Sequence, residues 1–450
     1  MPSAGQGHTV LLRQDGAAVA VGSNTHGQCD VPDAGDGAAY IRVSAGAHHT
    51  VLLRSDGRVV AVGSNEHGQC ALPEAGGGMS YTQVAAGFNH TVLLRCDGRA
   101  VACGDNAAGQ IGLPEAEEGV SYIQVAAGTG YTLLLRSDGC AVACGMNDDG
   151  QCDVPELECG ASYSQVAAGV CHTVLLRSDG RAVGLHRNWG DKRNPPQPEA
   201  GVSYVTASSR GAHTVFLRSD GGAIAYGMEN VGQCAIPELE AGTSYVQAVG
   251  GGYHTVLLRS DGRAVACGSN SHGQCDLPQP EAGVSYIQVA AGGWHTLLLR
   301  SDGRAVSCGR NDFRQCDLPE AEEGVTYTQV SAGGLHSVLL RSDGRPVACG
   351  EKPDVQCALP EAPPGVHPVP LGLVEHLAVQ LLTEGGNRAV CRNALTGEAL
   401  AAWTIAQTEL DAQVSSRVNA EFGRPGLRLS VLMPDGSHLG GKRTWAEFFK

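Results

Sequence analysis

Apolar and polar positions along this chain recur as one phrase. In the copy that begins at Val284, Ser-Tyr-Ile-Gln-Val-Ala-Ala-Gly starts β-branched and aromatic and then collapses to small residues. His295-Thr-Leu-Leu-Leu-Arg300 follows, apolar on both faces, and Ser-Asp-Gly separates it from Arg304-Ala-Val-Ser-Cys-Gly309. Asp-Gly between two apolar runs is the strongest short hairpin signal. A last piece, Gln315-Cys-Asp-Leu-Pro319, is extended until the proline stops it. The pattern predicts three clear strands and a short connecting one in each copy.

The phrase is anchored at His8, His49, His90, Tyr131, His172, His213, His254, His295 and His336, nine copies at a step of 41 residues without insertion or deletion. A fixed period of this length marks stacked or radially arranged units. Continuous apolar runs suit sheets covered on both faces, and Ala-Ala-Gly suits a crowded axis. Radial blades satisfy both and protect the strand edges, so the expected fold is an all-β propeller with three to four strands per blade. The chain enters at Gly7-His8 without a full opening strand, and Gly365-Val-His-Pro-Val-Pro-Leu371 falls where a tenth such strand is due. We expect that late strand to complete the first blade. The fifth copy breaks the phrase after His186, where Arg187-Asn-Trp189-Gly-Asp-Lys-Arg-Asn-Pro-Pro196 replaces the Gly-Gln ending. This is either a basic contact loop or a decayed repeat. In copy eight, Arg314 stands where copies one to four, six and seven have Gly.

After the Pro-rich residues 361–372 the pattern changes. Strands are expected around 377–382, 389–391 and 427–432, with 395–403 a turn leading into another strand and a helix from Thr408 through the apolar face Leu410, Val414, Val418 and Phe422. The expected division is 1–372 and 373–450.

A formal charge of −15 disfavours broad nucleic-acid binding. No run of apolar residues approaches a membrane span and no leader is seen at Met1, so a cytoplasmic or nuclear protein is expected. Most of the 17 cysteines occupy two registers of the repeat and interchange with Val, Tyr or Ile, as small buried hydrophobes would. Pairs such as Cys267 and Cys275 leave disulfides open, but zinc-type Cys spacing is absent.

Gly-x-x-His-Thr, Asp-Gly and Gly-x-Asn-x-x-Gly-Gln together resemble the regulator-of-chromosome-condensation repeat. The short period and the Gln-Cys-x-Leu/Val-Pro ending also resemble the three-stranded blades of a bacterial β-lactamase inhibitor protein of that class. Familiar members have seven blades, so nine copies imply one larger ring or a ring with extra units. The C-terminal segment resembles a small α+β ubiquitin-like β-grasp domain. The resemblance implies a non-enzymatic protein-interaction scaffold, an adaptor in ubiquitin transfer akin to HERC-type ligases without their catalytic lobe. The alternative is guanine-nucleotide exchange on a small GTPase. An ultraviolet-B photoreceptor of this fold needs a dense Trp cluster, and only Trp189 and Trp294 lie in the repeats.

The anchor histidines fall in different blades and are expected to bond within their own blade rather than to gather on an ion. No phosphate loop, Gly-x-Ser-x-Gly elbow or His-Glu-x-x-His is present, and no cofactor, metal or catalytic site is expected. Variation between copies points elsewhere. One variable pair precedes each anchor (Phe88-Asn89, Gly252-Tyr253, Gly293-Trp294, Gly334-Leu335) and another precedes Gly-Gln (Asp148-Asp149, Asp312-Phe313). On a fixed scaffold these loops read either as tolerant surface drift or as binding positions, aromatics being the usual anchors. The candidates are Phe88, Asn89, Tyr253, Trp294, Leu335, Asp148, Asp149, Asp312, Phe313 and Trp189.

Overall fold

The computed structural model describes residues 3–350, except 6, 14, 15, 36, 159, 187–194 and 212, and beyond them four strands of a second sheet system. The chain divides into two compact units, Met1–Pro368 and Val369–Lys450.

The first unit is nine three-stranded antiparallel sheets, one per repeat, each built from consecutive strands. In blade 3 these are Tyr81–Ala86, His90–Arg95 and Ala100–Gly104. The Gln-Cys-x-Leu-Pro piece forms no fourth strand among the described residues. First strands of successive blades touch one another, so their small Ala-Ala ends line the axis. Middle strands carry the core: Val51, Leu52 and Leu53 are fully buried. Burial is between blades, as where Val92 and Leu94 pack on Tyr122, Val125 and Leu134 of the next sheet. The Ser-Asp-Gly loops are hairpins of three residues rather than two. Gly57 N–H donates to the Arg54 carbonyl at 3.0 Å and Gly57 takes a φ of 79°, a type I turn closed by a left-handed glycine.

The repeat's polar residues tie blade to blade. The Gln247 side chain donates to the Val289 carbonyl at 3.1 Å and accepts from Val289 N–H at 2.9 Å, pairing an inner-strand edge with the blade beside it. The anchor histidines do the same from inside the ring, which corrects the expectation that each bonds within its own blade. His8 Nε2 lies 2.8 Å from Thr50 Oγ1, His49 Nε2 3.0 Å from Thr91 Oγ1, and the series runs on to His295 and Ser337 at 2.9 Å. Where the repeat's Gln in the preceding blade is among the described residues, the hydroxyl donates to its carbonyl, as Thr50 does to Gln28 at 2.7 Å. With its one proton given there, the hydroxyl accepts from histidine, which assigns the proton to Nε2.

The series closes on itself. His336 Nε2 meets Thr9 Oγ1 at 2.8 Å, and Leu11 and Val21 of blade 1 pack with Val338 and Ala348 of blade 9. Nine blades make one closed ring.

Blade 1 differs from expectation. Its inner strand is the chain's own Ser3–Ala4, paired with Thr9 and Val10. Ser3-Ala4-Gly5 corresponds to Ser44-Ala45-Gly46 of the next copy, so the chain enters the phrase in mid-strand. Residues 365–371, expected to complete this blade, lie outside the described residues, as does Trp189. The cysteines also depart from expectation. Most described thiols are half-buried rather than buried, and none is in a disulfide. They donate to loop carbonyls, Cys70 to Ser64 at 3.2 Å for instance. Burial pushes the Cys29 thiol up to about 12 and the Cys70 thiol to about 11, so both stay protonated.

In the second unit, strands Ala378–Glu384, Arg388–Asn393 and Ala399–Thr404 form an antiparallel meander, and Ser430–Leu432 pairs in parallel with the first. The helix expected from Thr408 lies outside the described residues.

Candidate functional site: the loop face of the ring

Both variable pairs lie on one face. The anchor position pairs across the sheet with the glycine that ends the outer strand, as His90 does with Gly104. The loop before the anchor and the loop after the glycine therefore emerge side by side. Across a blade boundary the second residue of one loop can meet the second residue of the other, 22 positions on. His26 and His48 have ring centroids 5.0 Å apart, and His272 and Trp294 5.5 Å. Phe313 and Leu335 hold the same two positions one blade further on.

Two aromatic groups result. On blades 1–3, His48 stands edge-on to Phe88 at 6.4 Å, and Phe88 is 37% exposed. On blades 7 and 8, Tyr253 stacks on Trp294 at 4.4 Å with an interplanar angle of 27° while remaining 39% exposed. Trp294 and Asn89 are half-buried. The Arg310 guanidinium sits 5.3 Å above the Phe313 ring and pairs with Asp312 at 2.8 Å, so Asp312 is tied down beside an aromatic. The sequence candidates thus divide. Tyr253 and Trp294 come together, and Phe88 joins histidines that sequence reasoning did not select. Asp148 is exposed.

These loops are less free than their variation suggests. In blades 6–9 the first residue of the pair is always Gly (211, 252, 293, 334), because neighbouring loops pack backbone to backbone. Gly252 N–H donates to the Gly292 carbonyl at 2.9 Å, and a Cβ on Gly293 would lie 2.7 Å from the Gly334 oxygen. That close approach brings the Tyr253 and Trp294 rings into contact. The Gly-Gly doublets were the available signal, because a side chain there has no room.

A second cluster was not expected. Asp149, Cys171 and His186 place a carboxylate oxygen, a thiol sulfur and an imidazole nitrogen all within 4.8 Å of one another. Cys171 came from a variable pair and His186 from a glycine position, so neither lay in the anchor register where histidines were sought.

Residues 3–28, 40–69, 81–110, 122–151, 245–274 and 286–315 match the regulator of chromosome condensation (RCC1) repeat, covering blades 1–4, 7 and 8. Six of the nine blades thus carry RCC1-type repeats. No curated protein matches the chain. Among solved structures, the ectodomain of the Physcomitrella patens receptor kinase CR4 is similar at 19% identity, covering 60% of this chain and 72% of that one, with a TM-score of 0.43. Human WBSCR16 is similar at 18% identity, covering 65% and 83%, with a TM-score of 0.42. Prp20p of Saccharomyces cerevisiae, described with its binding to Gsp1p and histones, is similar at 18% identity, covering 79% and 83%, with a TM-score of 0.41. Likeness at this level says nothing of function. Blades 5, 6 and 9 lie outside the repeat match, and blades 5 and 6 adjoin the irregular segment after His186 in sequence.

Proposed function

We propose that this RCC1-type propeller is a non-enzymatic protein-binding scaffold whose contact surface is the loop face. The Tyr253–Trp294 stack carries the reading. A large aromatic surface is held on a rigid double-glycine platform and left accessible, so little side-chain entropy is lost when a partner covers it. Leu335 and Phe313 extend the apolar surface, and Asp312 supplies a polar rim. The finer reading is an adaptor in ubiquitin transfer, with the C-terminal unit as a ubiquitin-like docking module. Its support is modest and specific: a mixed sheet whose first and last strands run parallel. Regulation of a small GTPase is the second reading, and the RCC1-type ring favours it.

Affinity capture on the full chain, repeated with Tyr253→Ala/Trp294→Ala, separates these. We expect the double variant to fold with an unchanged melting temperature and to lose its partner by about 100-fold or more, as hot-spot truncation does. Retention of every partner by the double variant overturns the surface. A ubiquitin-conjugating or ligase component supports the adaptor reading. A small GTPase whose nucleotide release is accelerated supports the second.

A further inference from the structure

The boundary between blades 4 and 5 departs from the repeat in three ways at once. Blade 4 has Tyr131 at the anchor position, and its hydroxyl donates to the His172 carbonyl at 2.5 Å instead of making the His–Thr link. Asp149 and Cys171 occupy the two positions that meet across a boundary, as His272 and Trp294 do further round. His186 follows the outer strand of blade 5, at the position where all eight other copies have glycine.

That glycine is demanded elsewhere by the backbone. It takes a φ between 111° and 132°, and a Cβ on Gly145 would lie 2.5 Å from the Gly130 oxygen and 2.7 Å from the Tyr131 Cα. Blade 5 has opened this end of its ladder. Its outer strand stops at Leu185 and its middle strand begins at Thr173, so the anchor–glycine pairing that ends the other eight ladders is missing. The backbone has given way, and an imidazole has entered beside a carboxylate and a thiol.

We propose that Asp149, Cys171 and His186 form a binding site for a zinc-class divalent metal ion, joining blade 4 to blade 5. A sulfur, nitrogen and oxygen donor set suits Zn²⁺ and its neighbours rather than Mg²⁺ or Ca²⁺. Bond lengths of about 2.0–2.3 Å put tetrahedral donors about 3.5 Å apart, so from separations within 4.8 Å the three groups need to close by about 1.3 Å at most. Asp149 and Cys171 lie on rim loops, which can supply that movement, and their partial exposure leaves a path from solvent. Burial lowers the His186 pKa, which favours the neutral imidazole that ligates, although Asp149 opposes the shift. Burial also raises that of Cys171, so its thiol proton passes to solvent as sulfur binds the ion. Water completes the coordination on the open side.

The arrangement is not that of a Cys-His-Asp relay. There the imidazole stands between its partners and uses one nitrogen for each, which separates sulfur from carboxylate by about 7 Å. Here all three donors form a compact triangle, the shape a shared ion requires.

The many other thiols make total zinc uptake a poor readout, so the test resolves individual cysteines. The full chain is stripped with chelator, exchanged into buffer, and alkylated with iodoacetamide with and without one equivalent of Zn²⁺, with labelling followed by peptide mass spectrometry. Zn²⁺ is expected to slow modification of Cys171 by roughly tenfold or more, leaving Cys152 and Cys275 unchanged. His186→Gly restores the residue of the other copies and is expected to fold and to abolish the protection, as is Asp149→Asn. In Co²⁺ titrations, the full chain is expected to show a thiolate charge-transfer band that Cys171→Ser lacks. Equal Cys171 labelling with and without Zn²⁺, or equal protection in folded His186→Gly, overturns the site. Rapid labelling that Zn²⁺ does not slow is the behaviour of a nucleophilic Cys–His pair and overturns it too.

Discussion

Arg314 shows how much one residue of this repeat is constrained. It is the one non-glycine residue with positive φ among the described residues, at 64°, where the equivalent Gly68 and Gly273 take 82° and 79°. A side chain in that conformation costs on the order of 1–2 kcal/mol, partly offset by the greater chain entropy of glycine when unfolded. Arg314→Gly is therefore expected to stabilise the protein by about 1 kcal/mol, read as a higher denaturant midpoint. Sequence comparison among copies exposed this residue directly, because six other copies have Gly at its position. The same comparison hid the meaning of His186. A glycine replaced by histidine in an irregular copy reads as drift until its neighbours in space are known.

Between elements, polar side chains do what strand pairing cannot. Each blade is a separate three-stranded sheet, so Gln bridges and His–Thr links join it to its neighbours, beside single backbone bonds such as Tyr81 N–H to the Gly57 carbonyl at 2.8 Å. Thr296 illustrates this: it meets His254 Nε2 at 3.0 Å and donates to the Gln274 carbonyl at 2.7 Å. Thr296→Val keeps the shape but strands a buried imidazole N–H and a carbonyl, which should cost about 3 kcal/mol in chemical denaturation. The loop platform is the second inter-element device. Gly293→Ala places a methyl group against the Gly334 oxygen, so the loops of blades 8 and 9 must part. We expect a loss of about 1–3 kcal/mol together with weakened partner capture, whereas an alanine at the open Gly283 position leaves capture intact.

At the scale of the whole molecule, the ring makes stability cyclic and pH-dependent. An open array frays from its terminal repeats, but His336 and Thr9 join blade 9 to blade 1. Amide exchange is therefore expected to show the middle strands of blades 1 and 9 as protected as that of blade 7, and Thr9→Val is expected to cost as much as Thr296→Val. Selective fraying of blade 1 would disprove closure. Burial lowers the pKa of His8, His49 and His172 to about 3, and of His90 and His213 to about 4, from an ordinary value of 6.5. The unfolded chain then binds more protons than the folded one across this window. Stability from these groups is complete above pH 6.5 and is lost as pH falls toward 3–4, by up to about 1.4 kcal/mol per pH unit for each histidine. Ordinary carboxylates titrate near 4, so a fall in denaturant midpoint between pH 6.5 and 5, with none between 7 and 8, identifies the histidine belt.

The sequence by itself determined the unit. Strand lengths, hairpins, the fully buried middle strand and the count of nine all follow from local periodicity, because each is settled within 41 residues. Tertiary structure decided what joins the units. The histidines were visible but their partners were not, since a bond to Thr in the next blade spans 42 residues and leaves no local pattern. Closure likewise depended on Thr9 and His336, at opposite ends of the repeats. On the loop face, Tyr253 and Trp294 were legible as aromatics on variable loops. Their stacking required the glycine platform, and the meeting of Asp149, Cys171 and His186 required the opened ladder of blade 5. Periodicity repeats a fold, while a site arises where copies differ, and only the ring brings those differences side by side.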